Sequence, residues 1–224
     1  GRRGKDEPEF ELLDTGIFDD DRYFDVFVEY AKASPDDILM LVTVHNRGPE
    51  SAPILLLPQL WFRNTWSWKN NGSRPEMLAS SRNVITPKHQ ELGTYHLHLD
   101  GESELLFCEN ETNPRRVFAR NNAAGYFKDA FHEYLVAGKK DAVNPHKFGT
   151  KAGALYQFSI LPGGSQQIRL RLSQSTAANA FSDFDDVMNE RRRDADNFYA
   201  ELQTDNFDPD ARNVQRQAFA GMIW

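Results

Sequence analysis

The chain has 224 residues and a formal net charge of -7. That is long enough for one large domain or two small ones with a sizeable buried core. The acidic balance argues against a nucleic-acid partner, because phosphate binding needs clustered Lys and Arg, and the one basic run, Arg191-Arg192-Arg193, lies among acids. No apolar run is long enough to span a bilayer, so no membrane partner is expected. The single cysteine, Cys108, sits in the apolar run Leu105-Leu106-Phe107-Cys108, reads as a small buried hydrophobe, and fits a reducing, cytoplasmic setting.

Residues Gly1 to Glu11 are polar and read as a linker or an edge. Asp19-Asp20-Asp21 lacks the spaced oxygen ligands and central Gly of a calcium loop. Tyr23 to Tyr30 alternates as a strand with one buried face, carried by Phe24, Val26, Val28 and Tyr30. Ser34-Pro35-Asp36-Asp37 turns the chain, and Ile38 to Val44 returns. Leu39 and Leu41 make both faces of that second strand apolar, which predicts a central place between two layers.

Ile54 to Phe62 reads as a third strand. Its continuation, Leu60-Trp61-Phe62-Arg63-Asn64-Thr65-Trp66-Ser67-Trp68, holds three of the four tryptophans. Two readings compete there. Large rings close one end of a sheet sandwich, with Arg63 and Asn64 bonding loop backbone; this suits Trp61 better. Or indole faces form a ligand rim that stacks on sugar rings, with Arg and Asn reading hydroxyls; this suits Trp66 and Trp68, which fall past the apolar run.

From Lys69 to Gly93 the periodicity is lost and a long surface connection is expected. Asn71-Gly72-Ser73 and Asn110-Glu111-Thr112 match the glycosylation sequon, a pattern common by chance. Tyr95 to Leu99 alternates, and Asp100-Gly101 predicts a hairpin that returns through Ser103 to Cys108. His96 and His98 share a strand face but have no third ligand in view, so they read as solvent-facing rather than metal-binding.

Phe127, Ala130, Phe131, Tyr134 and Leu135 fall at helical spacing, which predicts a short helix over about 126–137, stopped by Gly138. Its polar face carries Lys128, Asp129, His132 and Glu133. His132-Glu133 begins like a zinc-protease motif, but the second His would have to stand at Val136. A helix inserted among strands either plugs an open end of the sandwich or forms part of a site. Leu155 to Leu161 is a strand, Pro162-Gly163-Gly164 a type II turn, and Gln167 to Leu172 a strand with Ile168, Leu170 and Leu172 inward and Arg169 and Arg171 outward.

After Ser173 the period changes to that of helices. Ser182 caps a long helix to Leu202, and Asp208-Pro209 starts another, with Val214, Ala218, Phe219, Met222 and Ile223 as its stripe. That helix has no stop signal before Trp224, so the chain reads as cut inside or just before a further helical region. The expected architecture is mainly β: an antiparallel β-sandwich over 1–174 with one inserted short helix, then linker helices over 175–224. No phosphate loop, nucleophile elbow or activated cysteine is present, so no catalytic residue is assigned here. Nothing in the sequence calls for a metal or a cofactor.

Several strings carry a resemblance. Leu13-Asp14-Thr15-Gly16-Ile17-Phe18-Asp19-Asp20-Asp21-Arg22-Tyr23-Phe24-Asp25-Val26, Leu60 to Trp68, Glu109-Asn110-Glu111-Thr112-Asn113, Asp141-Ala142-Val143-Asn144-Pro145 and Gly149-Thr150-Lys151-Ala152-Gly153-Ala154-Leu155-Tyr156 resemble the N-terminal region of bacterial glycosidases. These are the glycosidases related to processing α-glucosidase I (mannosyl-oligosaccharide glucosidase), glycoside hydrolase family sixty-three. The resemblance implies an N-terminal β-sandwich, a helical linker and a catalytic barrel of α-helical hairpins that supplies the general acid and base of an inverting reaction. Arg212 to Trp224 looks like the start of that barrel. None of the family's catalytic carboxylates has a counterpart in these residues.

The implied role is a non-catalytic sandwich that supports the α/α barrel of the same polypeptide and walls one side of a pocket for an oligosaccharide or small glycoside. The candidate sugar-contacting residues are Arg63, Asn64, Thr65, Trp66 and Trp68, then Lys128, Asp129, His132 and Glu133. The rival readings are a free-standing carbohydrate-binding module, a self-contained hydrolase using Glu109 or Glu133, and a structural interaction domain.

Overall fold

A computed structural model describes residues 4–68, 73–119, 124–176, 179–203 and 208–223. In chain order the strands are β1 (Phe24–Ser34), β2 (Asp37–Asn46), β3 (Ala52–Leu56), β4 (Gln59–Trp61), β5 (Glu76–Ser81) and β6 (Val84–His89). They continue as β7 (Gly93–Thr94), β8 (His96–Leu99), β9 (Glu104–Cys108), β10 (Phe148–Gly149), β11 (Lys151–Ile160) and β12 (Ser165–Ser173). The helices are α1 (Pro114–Phe118), α2 (Ala130–Leu135), α3 (Phe184–Leu202) and α4 (Pro209–Ile223).

The doubly apolar strand organises the rest. β2 lies between β1 and β12, with Val42 opposite both Val28 and Ile168. Its sheet has eight strands, in the order β1-β2-β12-β8-β6-β5-β10 with β7 on β6. The facing sheet has four, β3-β11-β4 with β9 also on β11. All strand pairs among the described residues are antiparallel. Val42, Val44, Ile168, Leu170, Met77 and Ile85 from the wide sheet meet Leu105, Phe107, Ala152, Ala154 and Tyr156 from the narrow one. This is a mainly β, antiparallel sandwich.

The other face of β2 explains its second row of leucines. Leu39 and Leu41, with Ala31, bury against Phe184 and Met188 of α3. The outer face of the narrow sheet is covered too. Leu106, Cys108 and Leu155 pack under Ala130, Phe131 and Tyr134 of α2. The inserted helix therefore does not plug an end of the sandwich; it covers an outer face. It is shorter than 126–137, and Gly138 beyond it takes a left-handed φ of 70°. Gly153 makes room for it: a Cβ there would stand 3.2 Å from the Phe131 ring.

Several expectations change. Ile54 to Phe62 is two strands, because Pro58 has no amide proton to donate to the ladder. The expected loop from 69 to 93 contains the β5–β6 hairpin, whose inward residues Met77 and Ile85 are fully buried. Asp100-Gly101 is a turn, with Gly101 at φ 76°, but not a hairpin. β8 pairs with β12 and β6, while β9 crosses to the narrow sheet.

The face of β1 carrying Val26, Val28 and Tyr30 points toward the core side yet is exposed, because the narrower sheet does not reach it. Arg169 and Arg171 face α3 rather than open solvent. Arg171 forks onto Asp37 (2.8 and 2.7 Å) and reaches Asp183 and the Ala180 carbonyl. His98 is buried on the same side, its Nε2 3.3 Å from the Ser175 carbonyl, and His96 contacts the Thr86 hydroxyl; neither histidine is solvent-facing.

Asp183, not Ser182, stands at the cap position of α3. Asp208 does cap α4, accepting the Ala211 amide at 2.8 Å ahead of Pro209. The first half of α3 is a layer of the sandwich. Its second half and α4 leave Phe198, Leu202, Val214, Met222 and Ile223 exposed. The sequon at Asn71 and the terminal Trp224 lie outside the described residues. No described helix is long and apolar enough to cross a membrane.

Candidate functional site

The pairing of β4 with β11 runs to Trp61 opposite Lys151, and the Phe62 amide extends it by donating to the Thr150 carbonyl at 3.1 Å. Beyond that point the chain turns. The Asn64 side chain accepts the Ser67 amide at 3.2 Å, a local bond that competes with strand continuation. The Thr65 carbonyl accepts the Trp68 amide at 3.2 Å. Asn64 Nδ2 also donates to the Asn110 carbonyl at 3.2 Å, which ties the turn to the end of β9.

The tryptophans divide. Trp61 is 54% exposed and Trp68 66%, so Trp61 does not fill the core as expected. Trp66 is half-buried, and its Nε1 donates to Glu111 Oε1 at 3.0 Å. The Arg63 guanidinium lies 5.2 Å from the Trp68 ring centroid, a cation–π pair on the surface.

Beneath this turn the strand end Glu109-Asn110-Glu111 is held tightly. Glu109 Oε2 accepts from the Thr150 amide (3.1 Å) and hydroxyl (2.7 Å), and pairs with Arg74 at 2.7 Å. Arg74 also reaches Glu111 at 3.3 Å, so one guanidinium bridges both acids. Asn110 donates its side-chain amide to the Phe62 carbonyl at 2.8 Å. Gly149 makes the arrangement feasible: a Cβ there would sit 2.3 Å from the Cys108 carbonyl oxygen. Only glycine lets Thr150 come this close to the end of β9.

A second group gathers around α2. Asn113, the N-cap of α1, donates to Asp129 at 3.1 Å, and Arg116 approaches the same carboxylate at 3.4 Å. Lys139 Nζ meets Glu133 at 2.5 Å and holds that carboxyl below the usual carboxylate range. Asp129 and Glu133, with Asn113, Arg116, Lys139 and Asp141, line an open cavity of about 870 Å3. The Lys128 and His132 side chains are exposed, and among the described residues they are not part of its lining.

The two groups share one backbone segment: the Glu109 amide donates to the Tyr126 carbonyl (2.8 Å) and the Lys128 amide to the Glu111 carbonyl (3.0 Å). Behind them Cys108 is buried, and burial pushes its thiol up to about 12. The surface offers ring faces, guanidinium donors and acids already engaged by bases, a set suited to binding a polyol. Sequence reasoning picked out Arg63, Asn64, Thr65, Trp66 and Trp68, which lie on this turn, and Asp129 and Glu133, which line the cavity beside α2. It missed Arg74, which follows a patternless stretch, and the role of Thr150, although Gly149-Thr150 stood among the resembling strings. Among the described residues, no three His, Cys, Asp or Glu side chains cluster as metal ligands would.

No family model matches the chain. A protein of Saccharomyces cerevisiae, uncharacterized protein YMR196W, is 34% identical to it over 270 residues, an alignment covering 100% of this chain and 25% of the yeast protein. The chain thus spans about a quarter of the length of the curated relative it matches.

Proposed function

We propose that these residues form the N-terminal, non-catalytic β-sandwich of an inverting α-glycosidase of the glycoside hydrolase family sixty-three type, working in the cytoplasm. The sandwich supports an α/α barrel of the same polypeptide and walls one side of its cleft for an oligosaccharide or small glycoside. The observation that carries this reading is the turn Arg63 to Trp68. Its aromatic and guanidinium groups stay open to solvent while Asn64, Trp66 and the 109–111 segment fix it to the sheets.

Two further features support it. The exposed apolar residues of α3 and α4 suit a helical neighbour. The yeast relative, of which the match spans a quarter, has room for one. Four acids on this surface are engaged by bases, Glu109 and Glu111 by Arg74, Asp129 by Arg116 and Glu133 by Lys139, as befits binding rather than proton transfer.

The test is kinetic. In the natural polypeptide that contains this sequence, Trp66→Ala or Arg63→Ala raises KM for an α-glucoside under this reading. Unchanged kinetics with unchanged stability remove these residues from the pocket. A free-standing carbohydrate-binding module is the second reading, favoured by the open Trp68 face. Calorimetry on the 224-residue chain with malto-oligosaccharides discriminates, since only a module binds without a barrel.

A further inference from the structure

At the opposite edge of β4 the two sheets part. β2 begins there at Asp37, and β12, β6 and β4 end there at Ser173, His89 and Trp61. Ile38, Leu172, Tyr95 and Pro87 continue the inner face of the wide sheet, and Leu60 and Phe62 continue that of the narrow one. Between them opens a cavity of about 280 Å3. Four rings line it: Trp61, Phe62, Tyr95 and the His89 imidazole, which stacks on Phe62 at 5.6 Å and 28°. The Tyr95 hydroxyl donates to Asp36 Oδ1 at 2.8 Å, fixing a carboxylate at the rim. The His89 Nδ1 is occupied as an acceptor for the Glu91 and Leu92 amides.

The chemistry of this lining is selective. It is mostly apolar, which disfavours a sugar with its many hydroxyls. Its volume is below that of ordinary ligand pockets, so the occupant is a small group or a head group. Asp36 repels anions, and among the described residues no lysine or arginine lines the cavity. Elsewhere the chain's own bases lie over its rings, as Arg63 over Trp68 and Lys151 over Phe131. Here rings and a carboxylate are gathered with, among the described residues, no lysine or arginine in the lining. Aromatic faces carry negative quadrupoles that attract a cation, and they do so best when the cation sheds water easily.

We propose that the cavity between β4, β6 and the start of β2 is a binding site for a quaternary ammonium head group, seated against Trp61, Phe62 and Tyr95 with Asp36 at its rim. The head group is carried either by a free choline-like molecule or by a trimethylated lysine side chain. This inference does not depend on the glycosidase reading, and the cavity shares no lining residue with the one beside α2.

The experiment is a titration of the 224-residue chain, followed by tryptophan fluorescence and calorimetry, with three probes. Choline and a short peptide bearing Nε-trimethyl-lysine supply the head group from the two sources. The third, 3,3-dimethyl-1-butanol, has choline's shape without its charge. Saturable binding of choline or the peptide is expected, with the neutral isostere about tenfold weaker. The tighter of the two cations identifies the source.

Trp61→Ala abolishes the binding, and Asp36→Asn weakens it. Trp61 is exposed, so its truncation leaves the fold intact, which circular dichroism checks. Failure of both cations to bind overturns the proposal. So does equal binding of the isostere, or binding that survives Trp61→Ala.

Discussion

Phe184→Ala tests how the helical layer is held. Phe184 is the first residue of α3 and is fully buried among Ala31, Leu39, Leu41 and Met188. The Arg169 guanidinium lies 5.5 Å from its ring centroid, and the Phe181 ring 5.8 Å. Besides Met188, which buries against the same leucines, α3 is tied to the sheet by the ion pairs of Arg192 with Glu29 and Arg169 with Asp185, which are partly exposed. Exposed pairs contribute about 0–1 kcal/mol each.

Truncating a buried Phe costs about 3–5 kcal/mol, from lost transfer energy plus the cavity left behind. The helix end is free to settle onto the leucines, so the low end applies, about 3 kcal/mol. That is a large share of a typical stability of about 5–15 kcal/mol. Urea denaturation followed by circular dichroism reads the loss, and hydrogen exchange should show α3 opening before β2 and β12. A loss below about 1 kcal/mol, or α3 amides still protected to the level of β2, would refute the view that this ring anchors the helix.

Gly149→Ala should destabilise the chain by about 1–3 kcal/mol or more, since the added methyl meets the Cys108 carbonyl and backbone must move; thermal unfolding measures it. Cys108 should resist thiol reagents at pH 8 in the native state and react on unfolding. Its thiol is raised from 9.0 to about 12, so its contribution to stability is full below pH 9 and is lost as pH rises toward 12. Cys108→Ala should flatten that alkaline slope in denaturation midpoints, leaving the part due to Tyr156, which burial also raises to about 12. Trp66→Phe keeps a ring but removes the donor to Glu111. A cost of about 1.5 kcal/mol is expected for this half-buried, charge-assisted bond, and no change would mean the indole is held by packing alone.

The parts of the fold legible in the sequence are those where burial repeats regularly. β2 reads as central because both of its faces are apolar, and the structure supplies a layer for each. Gln167 to Leu172 reads correctly as a strand, but its outer arginines could not announce that a helix lies over them. The β5–β6 hairpin was hidden because its pattern is thin: Met77 and Ile85 sit among Ala, Ser and Pro. Asp100-Gly101 marks a turn reliably, yet the strand that β8 pairs with is chosen by sheets formed far away in sequence.

The same division holds at the candidate site. The break in periodicity after Phe62 marked Arg63, Asn64, Trp66 and Trp68, because local bonding by Asn64 is what ends the strand. Arg74 and Thr150 join Glu109 only through the third dimension, and nothing local to either residue signals it.

The most direct measurement is turnover of an aryl α-glucoside, for the purified 224-residue chain beside the natural polypeptide that contains it. Hydrolysis by the longer polypeptide with inversion at the anomeric carbon, and none by the chain alone, is the predicted result. Turnover by the chain alone, lost on Glu109→Gln or Glu133→Gln, would contradict the assignment of this sandwich as a support without catalytic acids.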